Sequence, residues 1–534
     1  MEPHEPRLLG DVLERTAELL GDKEALIYGE ERLTWGAFNA QVDDLACALL
    51  AAGVERGDRI GIICTTRPEY LCVYLAAARI GAVLVGFNVQ FTLAEVETLA
   101  KLTRPRVMVM VDVVKGRAVA APLLALLGRL DYVEQVLVVG EDAPAGAETL
   151  SGWIGQGRPD MRAALAARKA MLDAEDSALI VFTSGSTGVP KGAVLTHRSI
   201  LTTGRVQVRE FGVREDDRIL QNKPMNHVGG AINLTVPALI TGATLVFMDH
   251  FHPVRALELV AAERITILGQ VPTMFIMEFN LPDFERYDLS SVRLAIVGGA
   301  ATPVPVMRQI MATAASVITG YGMTETGGYV TFTRADDPAE VIARSVGRMA
   351  GEYELCIVDE ARRPLPTGAV GEVAMRGGCL LKAYFENPQA SAEAFSADGW
   401  FYSGDVGYLD ERGYLTLVDR RKDMYISGGY NVYPREIELY LAQHPQVEMV
   451  AVLGVQDAVM GEVGLACVTG RGLTEAALLA FCEIGLAGYK IPRHFVLRET
   501  LPLTPLGKID KPRLRKELMR SEEHTSELQS RQYL

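Results

Sequence analysis

Apolar and polar positions along the N-terminal half of the chain repeat in two alternating patterns. Apolar residues recur at helical spacing over residues 8–20, and two short apolar runs separated by Gly-Glu-Glu predict a hairpin over residues 25–34. Further apolar runs at residues 59–64 and 81–85 predict strands on either side of a helix over residues 68–80. Apolar strands that alternate with helices are typical of a largely parallel sheet covered by helices. The pattern therefore predicts an α/β fold class.

The pattern continues on a smaller scale near the C-terminus. Helices are predicted over residues 434–444 and 473–486, and strands over residues 449–455, 464–469 and 492–497. A segment of about 100 residues with this order has the size of a small α/β domain. The sequence thus predicts a large N-terminal domain of helix-covered sheets, followed by a small and mobile α/β domain.

The length of 534 residues is too great for one ordinary hydrophobic core, so more than one domain is expected. We predict an N-terminal domain over residues 1–420 and a C-terminal domain over residues 421–519. Residues 520–530 resemble the in-frame translation of a common sequencing adapter. Residues 520–534 are therefore interpreted as an assembly artefact, with an ordinary disordered tail as the alternative.

Composition narrows the class of protein. Apolar residues make up 49% and charged residues 22% of the chain, which is the balance of a soluble globular protein. The net charge of −14 argues against nucleic-acid binding and requires local cations for any anionic ligand. Seven cysteines without metal-ligand spacing predict reduced core residues of a cytoplasmic protein. No run of 18 consecutive apolar residues occurs, so no integral membrane segment is expected.

Residues 183–192 form a loop between two apolar, strand-like runs, with four hydroxyls, three glycines and one lysine. Glycines allow backbone N–H groups to surround an anion, and lysine supplies a point charge suited to phosphate. The loop is not a Walker A motif, because Pro190 precedes the lysine and Gly192 follows it. A flexible surface linker is the alternative interpretation. The candidate phosphate-binding residues are Thr183, Ser184, Gly185, Ser186, Thr187, Gly188 and Lys191.

A second candidate nucleotide segment covers residues 319–328. The Tyr321 ring can stack on a purine face, and the Thr324 hydroxyl can donate a hydrogen bond to the α-phosphate. The Glu325 carboxylate can hold Mg²⁺, a cation that prefers carboxylate and phosphate oxygens. Read alone, Thr324 and Glu325 could simply begin a helix.

Three further segments carry candidate binding groups. His227 lies between a proline and a glycine pair, where a structural hydrogen bond is the alternative to a substrate contact. Gly298 and Gly299 end an apolar strand, which allows a flat ligand to approach the backbone or simply makes a tight turn. Asp405 follows a glycine and can grip ribose hydroxyls, although aspartate is also common in turns.

Two segments near the C-terminus carry basic residues. Residues 417–431 form a charged run that ends near a glycine pair, which by composition alone could be an exposed loop. Lys508 lies in a loop bounded by proline and glycine, where most lysines are merely solvated.

Together these segments resemble the adenylate-forming, AMP-binding superfamily over nearly all of residues 8–518. The superfamily includes acyl-CoA synthetases, luciferases and adenylation domains. Two positions depart from its pattern: Asn226 stands where many members have an aromatic residue, and Leu506 stands where a small polar residue is common.

The resemblance implies a role for each matching residue. It assigns the nucleotide site to the 183–191 loop together with Gly299, Ala300, Tyr321, Gly322, Asp405 and Arg420. It assigns the acyl pocket to His227, Val228, Gly298, Met323 and Gly327. It places a hinge at Lys422 and a coenzyme A tunnel at Ser427, Gly428 and Gly429. The implied catalytic residues are Lys508, Thr324, Glu325 and His227, with Glu325 also as the metal ligand.

The resemblance implies an AMP-forming carboxylic acid–CoA ligase that uses ATP, Mg²⁺ and coenzyme A. Small apolar residues around the expected pocket favour a fatty or an aromatic acid. Three alternatives stay open: an enzyme that loads a carrier protein, a luciferase-like oxygenase and an inactive nucleotide sensor. A homodimer is one of the oligomeric states that the sequence leaves open.

Overall fold

The computed structural model describes residues 6–183, 190–300, 302–420, 423–427, 430–457, 459–504 and 507–518. Two large sheets, a smaller antiparallel sheet and their helices form the long N-terminal part. A five-stranded sheet with its own helices follows near the C-terminus. This is the mixed α/β architecture that the hydrophobic pattern predicts.

The first large sheet has seven strands. In spatial order they are Val317–Thr319, Leu294–Val297, Ile267–Gln270, Arg218–Gln221, Thr244–Phe247, Glu24–Tyr28 and Glu31–Thr34. All neighbours pair in parallel except the last two strands, which form the predicted hairpin. Parallel strands present their carboxyl ends at one edge, so the loops after them gather there.

The second large sheet has eight strands. In spatial order they are Ala383–Tyr384, Lys191–Thr196, Ser177–Thr183, Val83–Phe87, Arg59–Ile63, Val107–Val111, Gln135–Val139 and Glu148–Thr149. The six strands from Ser177–Thr183 to Glu148–Thr149 pair in parallel, whereas Lys191–Thr196 pairs antiparallel with both of its neighbours. The antiparallel pair Ser177–Thr183 and Lys191–Thr196 flanks the candidate phosphate loop and brings its two ends together.

Short antiparallel units connect the large sheets to the C-terminal part. A four-stranded sheet contains Tyr353–Val358, Gly371–Gly377, Phe401–Leu409 and Leu415–Arg420. Two-stranded pairs join Val113–Val114 to Arg117–Ala118, Gly322–Met323 to Gly328–Tyr329, and Thr331–Phe332 to Arg348–Met349. The strand Phe401–Leu409 carries Asp405 toward the carboxyl edge of the first sheet.

Helices cover both faces of the large sheets. Those before residue 230 are Leu9–Leu20, Trp35–Ala51, Pro68–Ile80, Leu93–Thr103, Ala120–Leu127, Leu150–Gly155, Arg162–Ala170 and His197–Phe211. The later ones in the N-terminal part are Val228–Ala231, Thr235–Thr241, Pro253–Ala262, Pro272–Phe279, Val304–Thr313, Ala339–Arg344 and Pro388–Ala394. Short 3₁₀ turns occur at Pro159–Met161, Phe284–Arg286 and Thr324–Thr326.

The C-terminal part is built on one long hairpin. Its strands are Tyr425–Ser427, Tyr430–Val432, Val447–Asp457, Gly461–Gly470 and His494–Leu497. The helices are Pro434–Leu441, Glu475–Gly485 and residues 511–518, with a 3₁₀ turn at Gly488–Lys490. A buried apolar cluster on each face of the sheet gives this part its own core.

Local signals in the sequence account for most element boundaries. Thr34 caps the helix Trp35–Ala51 by accepting a hydrogen bond from the backbone N–H of Ala37 at 3.2 Å. The helix Pro68–Ile80 ends where predicted, because Gly81 adopts a left-handed conformation with φ of +76°. The strand that follows therefore starts at Val83, two residues later than predicted.

In the described part of the chain, no helix has both the length and the apolar character that crossing a bilayer requires.

Candidate active site

The carboxyl edge of the first sheet gathers the candidate residues from four consecutive loops. The strands Arg218–Gln221, Ile267–Gln270, Leu294–Val297 and Val317–Thr319 all run in the same direction. The loops after them contain His227, Val271, Gly298–Gly299 and Tyr321. Because the sheet is parallel, residues that are far apart in sequence come to one edge, where ligands bind in such folds.

Tyr321 and Asp405 form the first pair of site residues. The Tyr321 hydroxyl donates a hydrogen bond to Oδ2 of Asp405 at 2.6 Å, and both residues are buried. The backbone N–H of Tyr321 donates to the Thr331 hydroxyl at 2.9 Å, which fixes the ring's position. Asp405 pairs with Arg420 across the antiparallel strands. An aromatic face and a carboxylate are thus held side by side, the combination needed to contact a base and a ribose.

We expect Tyr321→Phe to raise the KM for ATP roughly tenfold, because the variant keeps the ring but loses a hydrogen bond to a charged group. The turnover number should change less, since the bond orients a binding group. Steady-state kinetics with varied ATP measure both constants. Tyr402→Phe is the matched control, because Tyr402 lies on the same strand as Asp405 and its ring packs under Arg362 at 4.0 Å. An unchanged KM in Tyr321→Phe would contradict this role for the hydroxyl.

Thr324 and Glu325 lie in the 3₁₀ turn Thr324–Thr326, and both are about 6% exposed. The turn ends at Gly327, whose φ of +64° is left-handed. The Tyr384 hydroxyl donates to Oε1 of Glu325 at 2.9 Å, and the Lys191 ammonium lies 5.2 Å from the centre of the Tyr384 ring. Burial, and then the Glu325 carboxylate, raise the pKa of Tyr384, so its hydroxyl keeps its proton and donates.

The Glu325 carboxylate fits a Mg²⁺ ligand. It is a hard oxygen donor, oriented by Tyr384 on one of its two oxygens. Among the described residues, no group of three or more histidine, cysteine, aspartate or glutamate side chains could hold a metal alone. Mg²⁺ bound together with a nucleotide keeps several waters and phosphate oxygens as ligands and is held by only one or two protein carboxylates.

Two predicted site glycines are closely approached by other parts of the chain, Gly322 by backbone and Gly298 by a side chain. A Cβ built on Gly322 would lie 1.8 Å from the Gly328 carbonyl oxygen, across the short strand pair. A Cβ built on Gly298 would lie 2.1 Å from the Tyr329 hydroxyl. Met323 lies next to Gly322, and its backbone N–H donates to the Thr326 hydroxyl at 3.0 Å. Neither position has room for a Cβ, so the packing requires glycine at both.

The candidate phosphate loop is described at its two ends. Thr183 ends its strand and pairs with Lys191, and its hydroxyl donates to the Lys191 carbonyl oxygen at 3.3 Å. Residues 184–188, which complete the predicted loop, lie outside the described residues. The Lys191 side chain lies beside Tyr384, so the loop closes next to Glu325.

His227 begins the short helix Val228–Ala231 and is half-buried. Its Nδ1 accepts a hydrogen bond from the Gly229 N–H at 3.0 Å, which places the ring proton on Nε2. Desolvation, followed by the nearby Lys508 and Lys223 ammonium groups, lowers the pKa of His227 to about 3. The imidazole is therefore neutral at physiological pH and can donate one hydrogen bond through Nε2. Val228, the next predicted pocket residue, is buried.

Lys508 reaches the glycine turn of the first sheet from the C-terminal part of the chain. A Cβ built on Gly299 would lie 3.1 Å from Cε and 3.5 Å from Nζ of Lys508. The Thr273 hydroxyl donates to the Gly507 carbonyl oxygen at 2.9 Å and holds the lysine loop against the helix Pro272–Phe279. Ala300, next to Gly299, is exposed. The structure thus places a cation over the turn that was predicted to contact the ligand.

The remaining predicted residues are described only in part. Arg420 ends its strand opposite Asp405, while Lys422, Gly428 and Gly429 lie outside the described residues. Ser427 is buried and pairs with Gly461 in the C-terminal sheet. The predicted hinge and coenzyme A tunnel therefore stay predictions.

Sequence reasoning missed two side chains of this site. Tyr384 bonds Glu325 across 59 residues of sequence, and its strand Ala383–Tyr384 is too short to stand out as a motif. Lys223 was also missed, although a lysine two residues after the strand Arg218–Gln221 and next to Pro224 is visible in the sequence.

Comparison with known proteins identifies the family. Residues 13–385 match the model of the AMP-binding enzyme family, and residues 436–508 match that of the AMP-binding enzyme C-terminal domain. Because the first match alone spans more than half of the chain, this protein belongs to the AMP-binding enzyme family.

Several relatives that match over most of their length are named as CoA ligases. A Mycobacterium tuberculosis ligase for a methyl-dioxo-octahydroindenyl propanoyl group is 35% identical over 515 residues, covering 95% of this chain and 98% of the relative. The human mitochondrial medium-chain acyl-CoA ligase is 32% identical over 541 residues, covering 96% and 88%. The solved structure of an anthranilate CoA ligase with anthranoyl-AMP superimposes with a TM-score of 0.86 at 26% identity, covering 97% and 99%.

These findings confirm the predicted superfamily, the α/β fold with its large and small parts, and the predicted class of acid–thiol ligase. The chemistry of the family is ATP-dependent formation of an acyl adenylate, followed in the CoA ligases by thioester formation. The individual roles of the site residues stay proposals.

Proposed function

We propose that this protein activates a fatty or an aromatic carboxylic acid with Mg·ATP and transfers the acyl group to coenzyme A. One observation carries the proposal: the Lys508 ammonium reaches Gly299 at the same sheet edge that holds Tyr321, Asp405 and Glu325. A cation, a nucleotide-contacting pair and a metal-binding carboxylate converge there, as an adenylation site requires.

In the first step an acid carboxylate oxygen attacks the α-phosphorus, and the bond to the pyrophosphate oxygen breaks. The substrate supplies the nucleophile, so the protein contributes positioning and charge stabilisation. Lys508 would neutralise charge between the carboxylate and the α-phosphate, and Thr324 would donate to that phosphate. Mg²⁺, held by Glu325, would neutralise charge on the leaving pyrophosphate.

In the second step the coenzyme A sulfur attacks the acyl carbonyl carbon, AMP leaves with the bonding electrons, and the thiol proton passes to solvent. We propose that residues 421–519 turn about Lys422 between the two steps. This turn would withdraw Lys508 and bring Ser427, Gly428 and Gly429 to the pantetheine arm. A boundary between residues 420 and 421 is consistent with the two family matches, which leave residues 386–435 between them.

The surroundings of the acyl pocket support an acid with an apolar body. Val228 and Ile232 are buried, and a Cβ built on Gly327 would lie 3.7 Å from Cδ1 of Ile232. Leu234 packs close to Gly269 on the floor of the same region. Glycines and branched aliphatic side chains leave space that excludes water and accepts apolar groups.

The test is release of pyrophosphate and formation of acyl-CoA with a panel of aliphatic and aromatic acids, each with and without coenzyme A. We expect both products from one class of acid and pyrophosphate alone at a low rate without coenzyme A. Pyrophosphate release without thioester would indicate a carrier protein as acceptor, and light or oxygen consumption would indicate a luciferase-like reaction. ATP binding without turnover of any acid would contradict the ligase and favour a nucleotide sensor.

A further inference from the structure

Lys223 is a buried lysine in the loop that leads to His227. It follows the strand Arg218–Gln221, and only 7% of its surface is exposed. A Cβ built on Gly269 would lie 3.6 Å from its Nζ, and a Cβ built on Gly229 would lie 3.5 Å from its Cδ. The side chain therefore runs between two glycines, whose missing side chains leave it room.

The Lys223 ammonium has no hydrogen bond or ion pair within the described residues. The buried carboxylate of Glu278, on the helix after the neighbouring strand, accepts a hydrogen bond from the Gln270 amide at 2.7 Å. The Lys508 ammonium lowers the pKa of both Lys223 and its neighbour His227, and the Lys223 ammonium also lowers the pKa of His227. Burial, and then Lys508, lower the pKa of Lys223 to about 8, so the ammonium form still dominates at neutral pH.

Lys223 and Lys508 lie beside different positions of neighbouring strands. Gly269 lies opposite Ile296, whereas the Lys508 side chain contacts Gly299, three residues further along the chain. Gly269 is paired within the sheet, whereas Gly299 lies in the turn beyond the end of the strand Leu294–Val297. Lys508 thus lies at the turn after one strand, and the Lys223 ammonium lies beside the neighbouring strand Ile267–Gln270, close to Leu234.

An apolar acid bound beside Lys223 would displace water from the ammonium without supplying a hydrogen-bond acceptor in its place. Burial of an unpaired charge is costly, so such a site favours a ligand that supplies the missing acceptor. A second oxygen on the acid, placed away from the reacting carboxylate, would supply it. A carboxylate or a ketone oxygen has the required chemistry, because the ammonium donates up to three hydrogen bonds and accepts none.

We propose that Lys223 determines substrate specificity by binding a second oxygen acceptor on the acyl chain, so that the preferred substrate is a dicarboxylic or an oxo acid. This inference rests on the proposed ligase function. It narrows the fatty or aromatic acid to one with an apolar body and a second polar group.

The experiment compares straight-chain monoacids with the diacids and oxo acids of equal carbon number, over short, medium and long chains. Pyrophosphate release gives kcat/KM for each acid in the wild type, in Lys223→Met and in Lys516→Met. Methionine keeps the length of the side chain without its charge, and the Lys516 control is an exposed lysine in the C-terminal helix. Thermal unfolding of each variant separates loss of activity from loss of the fold.

We expect the wild type to prefer a diacid or an oxo acid. Lys223→Met should lower kcat/KM for that acid roughly 100-fold, whereas kcat/KM for monoacids should stay the same or rise. Preference for diacids would identify a carboxylate as the bound group, and preference for oxo acids a ketone. Lys516→Met should retain the wild-type order of acids. A reversed preference in the variant is not expected from a lysine with a purely structural role.

Two results would overturn the inference while leaving the ligase intact. The first is a preference of the wild type for monoacids, a result that can be measured without any variant. The second is an equal loss for all acids in Lys223→Met, which would place Lys223 at the reacting carboxylate. Absence of pyrophosphate release with every acid in the wild type would instead contradict the ligase itself, so the two failures are distinguishable.

Discussion

Replacement of Lys508 by alanine lowers the rate of acyl-adenylate formation by roughly 100- to 1000-fold, the loss expected when one preorganised charge at a reacting centre is removed. The reason is geometric, because the ammonium lies over Gly299 at the sheet edge where the carboxylate and the α-phosphate would meet. The second half-reaction, started from a synthetic acyl adenylate and coenzyme A, should be largely retained. Pyrophosphate release measures the first step, and thioester formation from the adenylate measures the second.

Lys516→Ala provides the matched control for Lys508→Ala. Lys516 is exposed in the helix over residues 511–518, close to Lys508 in sequence but without a place in the proposed site. Its substitution should leave both half-reactions unchanged. Equal loss of both half-reactions in Lys508→Ala would indicate a structural role for the lysine, and full adenylation in that variant would contradict the proposed mechanism.

The second large effect is expected for Glu325→Gln, which should reduce adenylation roughly 100-fold or more and raise the Mg²⁺ concentration needed for half-maximal rate. The variant keeps the size of the side chain and can still accept the Tyr384 hydrogen bond, which measures 2.9 Å in the wild type. It loses only the negative charge that a divalent cation requires. The rate is measured as pyrophosphate release over a Mg²⁺ titration.

Binding measurements separate this role from a loss of the fold. Calorimetric titration with ATP should show a Mg²⁺-dependent gain in affinity for the wild type and a smaller gain for Glu325→Gln. Glu411→Gln, which alters an exposed glutamate in a turn, should behave as the wild type does. If Glu325→Gln retained the wild-type response to Mg²⁺, the carboxylate would not be the metal ligand.

Much of the fold could be predicted from the sequence because its signals are local. Apolar runs predicted several strands in each of the two large sheets, and residues such as Thr34 and Gly81 set helix boundaries through bonds within a few residues. The strand order could not be predicted in the same way. The pairing of Glu24–Tyr28 with Thr244–Phe247 depends on contacts between residues more than 200 positions apart, which no local pattern records.

The sequence by itself determined the class of protein, since the loop at residues 183–192 and the segment around Tyr321 and Glu325 carry their chemistry in consecutive residues. Only the tertiary structure decided which side chains complete the site. Tyr384 donates a hydrogen bond to Glu325, and Lys223 lies beside Gly269 without an ion pair to any described residue, because parallel strands bring loops from distant parts of the chain to one edge. Burial and the absence of a counter-ion are properties of that packing, and residue identity alone does not define them.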